Sequence, residues 1–171
     1  MILRILCMKQ KKNLSGRIFN ISRKLYLKKM LLPAKLLESI NRILFSCEIP
    51  PSADIHPNAI FGHNALGIVI NEQTFVGENT VIMHQVTIGG NMGKYRLKDK
   101  QKIYAPTIGK NVMIGTGAKI LGPIIIGDYA QIGAGAVVHK AVPNKGVAVG
   151  IPATTIKVLS DKEAIEAYSK I

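Results

Sequence analysis

From residue 70 onwards aliphatic side chains recur at every sixth position. They are Ile70, Val76, Ile82 and Ile88 and then, after an interruption, Ile108, Ile114, Ile120, Ile126, Ile132 and Val138. Glycine follows the aliphatic at 77, 89, 109, 115, 127 and 133. Four positions beyond each aliphatic stands a small or β-branched residue, among them Thr74, Thr80, Val86, Val112, Ala118 and Ala136. A helix repeats apolar residues three and four apart, and a half-buried strand every second residue. Two inward positions and a glycine per six residues describe a short flat strand and a corner, repeated. Such turns bury a core only by stacking, each pairing its backbone with the next. The pattern predicts an all-β solenoid from Ile55 to about residue 142.

The frame breaks twice. Ile55 and Phe61 fit the period, but Phe61 to Ile70 is nine residues, three more than one repeat. The slip contains His63-Asn64-Ala65-Leu66-Gly67. The second break, residues 89–107, is expected to be a loop thrown out from the prism. It carries Lys94, Arg96, Lys98, Lys100 and Lys102 in alternation, a row suited to phosphates or an anionic acceptor.

Before the repeat, 24–32 and 34–45 have helical spacing, with Pro33 expected to separate them. Three segments follow: a basic amphipathic helical arm over 1–48, the solenoid over 49–158 and a C-terminal helix over 159–171. Ser160-Asp161-Lys162-Glu163 has capping-box form and opens that last helix.

Composition agrees with this division. Aromatics make up 5% and Trp is absent, so aliphatics must fill the core, which favours strands. The net charge is +13, and residues 1–48 hold eleven Lys or Arg against Glu38 and Glu48. A basic amphipathic arm suits either docking on the solenoid or peripheral contact with an anionic membrane. Nothing points to nucleic acid. Cys7 and Cys47 suggest neither a disulfide framework nor a metal knuckle, so a cytoplasmic location is expected, with the inner face of the membrane as one option. Met1–Met8 is apolar but too short for a signal peptide.

Four histidines are candidates for chemistry. His63 lies in the slip. His84 follows 21 residues later, three repeats plus the three-residue slip. Each stands two residues past a frame position, Phe61 and Ile82. Counting therefore puts them on one corner of adjacent turns, about 5 Å apart. His56 and His139 fit as turn residues away from the slip.

These stretches resemble the hexapeptide-repeat, left-handed β-helix acetyltransferases. The likeness is strongest to the serine acetyltransferase branch and its relatives in cell-surface polysaccharide synthesis. It rests on Asp54-Ile55-His56-Pro57, Gly67-Ile68-Val69-Ile70, Gln85-Val86-Thr87-Ile88-Gly89-Gly90, Ile114-Gly115-Thr116-Gly117-Ala118, Ile132-Gly133-Ala134-Gly135-Ala136 and Val149-Gly150-Ile151-Pro152-Ala153. The resemblance implies a homotrimer of prisms, acetyl-CoA as co-substrate in the groove between them, a histidine general base and no metal. On that reading His63 is the base, and His84 binds the acceptor or orients His63. Main-chain N–H groups near Gly89 and Gly90 stabilise the oxyanion. Gly115, Thr116, Gly133 and Ala134 line the pantetheine groove, and Lys140 and Lys157 meet phosphates.

Two positions depart from the serine enzymes. Gly62 stands where they carry an aspartate before the catalytic histidine, and Tyr104-Ala105 where they carry Arg-His before the loop-ending proline. The serine enzymes are also expected to have a longer helical N-terminal domain. These departures favour a sugar hydroxyl of a surface polysaccharide as acceptor, with serine as the alternative. A γ-carbonic-anhydrase-like zinc site would need a third histidine beside His63 and His84. A non-catalytic scaffold would leave the placement of His63 unexplained.

Overall fold

In the computed structural model, which describes residues 13–169, the sixfold pattern becomes a three-sided parallel β-helix. The first face stacks Asp54–Ile55, Phe75–Val76, Thr107–Ile108 and Ile125–Ile126. The second stacks Ile60–Phe61, Val81–Ile82, Met113–Ile114, Gln131–Ile132 and Gly146–Gly150, and Ala153–Val158 closes it antiparallel. The third stacks Val69–Ile70, Thr87–Gly89, Lys119–Leu121 and Val137–Val138.

In each two-residue strand one side chain points out and the periodic aliphatic points in. The register turns the repeat into columns. Ile70, Ile88, Ile120 and Val138 lie over one another, as do Phe61, Ile82, Ile114 and Ile132. All are buried. The second column extends one step past the expected end, because Ala148 pairs with Ile132 and is 1% exposed. Val142 bridges to Ile126 sixteen residues back, where Ile108 to Ile126 takes eighteen, so the last turn is two residues short and Ala148 falls off the period counted through Val138.

The helical arm differs from expectation in where it breaks. Helix α1 spans Leu14–Leu27 and α2 spans Leu31–Phe45. The chain turns at Lys28–Met30, where Lys29 has φ 60°. Pro33 lies inside the first turn of α2. A proline costs little there, since first-turn N–H groups have no intrahelical acceptor. Residues 1–12, counted with the arm above, lie outside the described residues.

Small buried residues let α1 and α2 approach. Ser22 Oγ donates to Ala34 O at 2.7 Å, and Asn41 Nδ2 to Ser15 O at 3.4 Å. The arm is tied to the first turns of the prism. Arg23 donates to the carbonyls of Pro51 and Ser52 at 3.0 and 3.2 Å and pairs with Asp54 at 2.5 Å. Phe19 meets Phe61 edge-on, centroids 6.0 Å apart. At the other end α3, Asp161–Ser169, carries the reciprocal bonds of a capping box. Ser160 N donates to Glu163 Oε2 at 2.8 Å, and Glu163 N to Ser160 Oγ at 3.3 Å.

Glu38 faces the inner side of α2. Burial, reinforced by Glu48, raises its pKa above the ordinary 4.5, against the opposing pull of Lys35 and Arg42. A carboxyl with a raised folded-state pKa opposes folding once ionised, so this contribution weakens stability as pH rises above 4.5. Glu38→Gln is therefore expected to raise the melting temperature at pH 7. The gain should shrink to nothing below pH 4.5, where the wild-type carboxyl is protonated in both states. Thermal melts of the two proteins across that range check it.

Candidate active site

The corner joining the second face to the third carries the site. Register alone aligns its residues. Phe61, Ile82, Ile114 and Ile132 are stacked, so the residues two positions on, His63, His84, Thr116 and Ala134, follow one another up the same edge. Main-chain bonds hold the edge together: Gly117 N donates to His84 O at 3.0 Å and Gly135 N to Thr116 O at 2.8 Å.

The three extra residues of the slip are taken up in a tight turn over Gly62–Ala65. His63, Asn64 and Ala65 have φ of 48°, 55° and 62°. Left-handed backbone costs a non-glycine residue about 1–2 kcal/mol. Such clusters persist where packing over-determines them, and they concentrate at functional sites. Here Ala65 is fully buried beneath the turn while His63 stays exposed. Asn13, the N-cap of α1, donates through Nδ2 to the carbonyl of Phe61 just before it.

The His63 and His84 rings meet edge to face, centroids 4.6 Å apart and planes at 76°. His84 Nδ1 is buried and has no hydrogen-bond partner among the described residues. A buried polar atom left unpaired beside an exposed imidazole is what a site leaves for a ligand to satisfy. Among the described residues neither Asn64 nor a main-chain carbonyl is hydrogen-bonded to the His63 ring.

Gly62 sits over Met83. A Cβ at 62 would lie 2.9 Å from Met83 Sδ and 3.3 Å from Met83 Cα. An aspartate at 62 thus requires Met83 to move. Sequence reasoning noted the missing aspartate but not the methionine that takes up its space. Stacking 62 against 83 by the same count that paired the histidines would have found it.

The glycines divide into two kinds. A Cβ on Gly115 would lie 2.6 Å from Ala134 N, and one on Gly133 would lie 2.8 Å from Val149 Cγ1. At these two the next turn passes close by, which alone excludes a side chain. Open space lies instead at Gly89, Gly117 and Gly135, where an added Cβ meets nothing within 4 Å. Gly89 ends the third-face strand, and a Cβ on Gly90 would lie 3.6 Å from Tyr104 O.

The two lysines are not on the histidine corner. Lys140 follows the third face and lines a cleft of about 180 Å³ with Val138, Val142, Ala148 and Thr154 at the C-terminal end of the prism. Lys157, in the closing antiparallel strand, is paired with Glu163 at 2.6 Å. The loop cations are not one row either. Residues 96–98 and 101–103 form a hairpin in which Leu97 is opposite Lys102. Lys102 Nζ lies 4.5 Å over the Tyr95 ring, and Arg96 bonds Thr107 Oγ1.

The histidines occupy three different corners: His56 after the first face, His63 and His84 after the second, His139 after the third. Among the described residues no three His, Cys, Asp or Glu side chains converge. The zinc reading therefore lacks its third ligand.

Comparison with known proteins identifies relatives of the same fold. Residues 105–140 match the bacterial transferase hexapeptide family (six repeats). The serine acetyltransferase of Helicobacter pylori is 37% identical over 138 residues, 81% of this chain and 77% of that protein. That of Mycobacterium tuberculosis is 46% identical over 110 residues, 60% of this chain and 44% of that protein. The solved Neisseria gonorrhoeae serine acetyltransferase in complex with serine superposes with a TM-score of 0.71 at 37% identity, covering 82% of this chain and 54% of that one. The chain thus spans about half the length of that structure and less than half of the Mycobacterium protein. The fold is the left-handed β-helix of this group.

The two kinds of glycine should respond differently to a methyl group. Gly115→Ala is expected to lower the melting temperature by several degrees, because the turn above must shift. Gly89→Ala is expected to change stability by no more than about 0.5 kcal/mol, as an unhindered surface substitution does. Parallel thermal melts decide this.

Proposed function

The chain belongs to the serine acetyltransferase family of hexapeptide-repeat proteins, and from that premise we propose that it transfers an acetyl group from acetyl-CoA to an acceptor hydroxyl with His63 as general base. The observation that carries this is the stacking of an exposed His63, held in a left-handed turn, on His84 at 4.6 Å. Imidazole titrates near neutrality and can take and return a proton within one turnover.

In this reading His63 removes the proton of the acceptor hydroxyl as its oxygen attacks the thioester carbonyl. The carbonyl oxygen gains the negative charge, which main-chain N–H groups near Gly89 and Gly90 stabilise. When the carbon–sulfur bond breaks, His63 returns the proton to the departing thiolate. His84 forms the second wall of the acceptor pocket and offers Nδ1 to it. The edge beyond, at Thr116, Gly117, Ala134 and Gly135, is low enough to let the slim pantetheine arm run along the prism. Lys140 at the C-terminal cleft is the phosphate contact, whereas Lys157 is already engaged by Glu163. The groove would be completed by a neighbouring prism of a homotrimer, in the cytoplasm.

For the acceptor, the relatives' names favour serine over the sugar hydroxyl expected from the sequence. A neutral hydroxyl compound such as a sugar remains the second reading on one specific ground. Met83 takes up the space of an aspartate before the base, and Ala105 is fully buried where the serine enzymes carry histidine.

Thiol release from acetyl-CoA tests the reading, with serine and a panel of sugars as acceptors. Serine-dependent release is expected. His63→Ala is expected to lower kcat by about 10²–10⁴-fold, the range for losing a general acid–base group. An undiminished rate in that variant contradicts the mechanism, and release with sugars alone moves the acceptor to the second reading.

A further inference from the structure

Helix α2 is turned inside out. Ala34 and Asn41, 0% and 3% exposed, point toward the rest of the protein, with Glu38 beside them. At 100° per residue the opposite side carries Leu32, Leu36 and Ile43, and these are 85%, 63% and 81% exposed. A surface helix ordinarily does the reverse. The apolar line runs about 16 Å along the axis. Lys35 and Arg42 edge it, and Lys28 and Lys29 lie at the turn before it, all exposed. Among the described residues only Arg42 of these four has a carboxylate in ion-pair range, Glu48 at 3.7 Å.

We propose that this face of α2 docks on an anionic lipid surface. The charge argues against a two-fold contact. Such a contact would bring the same cations to the same stripe, in a chain with 23 basic and 10 acidic residues, whereas a threefold assembly would set the stripe against a different surface and would show in the oligomeric mass. Like charges brought together oppose association. A membrane of anionic lipids accepts both components at once. The leucines and isoleucine enter the boundary between headgroups and acyl chains, and the flanking cations remain at the phosphates. The sequence preceding α1 adds Arg4, Lys9, Lys11 and Lys12 to the same end of the chain. No helix among the described residues is long and apolar enough to cross the bilayer, so contact is peripheral. This inference rests on the helical arm and does not depend on the proposed chemistry.

The test is co-sedimentation of the full chain with vesicles of phosphatidylglycerol and phosphatidylcholine in equal parts, against phosphatidylcholine alone. The wild type is expected to sediment with the anionic vesicles and to be released by salt. Leu32→Glu/Leu36→Glu/Ile43→Glu should lose more than about tenfold of that binding, since it removes the buried apolar area. Its oligomeric mass and melting temperature should stay those of the wild type. Lys28→Glu/Lys35→Glu should weaken binding to the anionic vesicles while leaving the apolar stripe intact. Three results each overturn the proposal: a wild type that stays in the supernatant, an apolar-stripe variant that binds as well as wild type, or one whose oligomeric mass changes. The last would make the stripe an interface between copies of the chain.

Discussion

The main-chain hydrogen bond from one flat strand to the strand above it is the interaction on which the rest depends. Met83 N donates to Ile114 O, Gly115 N to Ile132 O and Gly133 N to Ala148 O, at 3.0, 2.8 and 2.8 Å. These bonds fix the vertical spacing of the prism and admit no sideways freedom. Each inward residue therefore lands on its counterpart one turn away, and the core fills with columns of Ile and Val, with Phe61 the ring at the N-terminal end of one. The same ladder sets the corners. His63, His84, Thr116 and Ala134 share an edge because the strands before them are in register. No side-chain bond is needed to collect them.

Period-six aliphatics make a three-sided stack legible from the sequence, since no other regular structure buries every sixth residue. Counting through the slip also placed His84 next to His63, because register is additive. What the sequence concealed has physical causes. Ala148 continues a column, but the last turn takes sixteen residues instead of eighteen and moves it off the six-residue frame. Pro33 resembles a helix break, yet a first-turn proline forfeits no hydrogen bond, and the turn formed four residues earlier at Lys29. Gly115 and Gly133 resemble ligand-making glycines, but their hydrogens face the backbone and side chains of the next turn. That distinction depends on distances across turns, which spacing along the chain does not encode. The alternation of Lys94 to Lys102 dissolved for the same reason, because a hairpin pairs residues across the strand and turned Lys102 onto Tyr95.

The two ends of the domain are built differently around this rigid middle. At the C-terminal end an antiparallel strand and α3 cover the last turn, and Lys145–Asp161 and Lys157–Glu163 ion pairs pin the helix. At the N-terminal end the first turns carry the arm through Arg23, Asn13 and Phe19, and the slip opens beside those contacts. The strained backbone of His63–Ala65 is thus supported from below by the column through Phe61 and Ile82 and from the side by α1. In the proposed mechanism this holds the base as an exposed ring on a backbone packed from two sides.

The central claim is that His63 and His84 work as one unit created by the register slip. A double-mutant cycle on acetyl transfer tests it most directly, comparing kcat for His63→Ala, His84→Ala and the pair. The account predicts strong non-additivity, with His84→Ala costing far less once His63 is gone. Fold-losses that multiply across the two sites would contradict it, because they would make the rings neighbours that act independently.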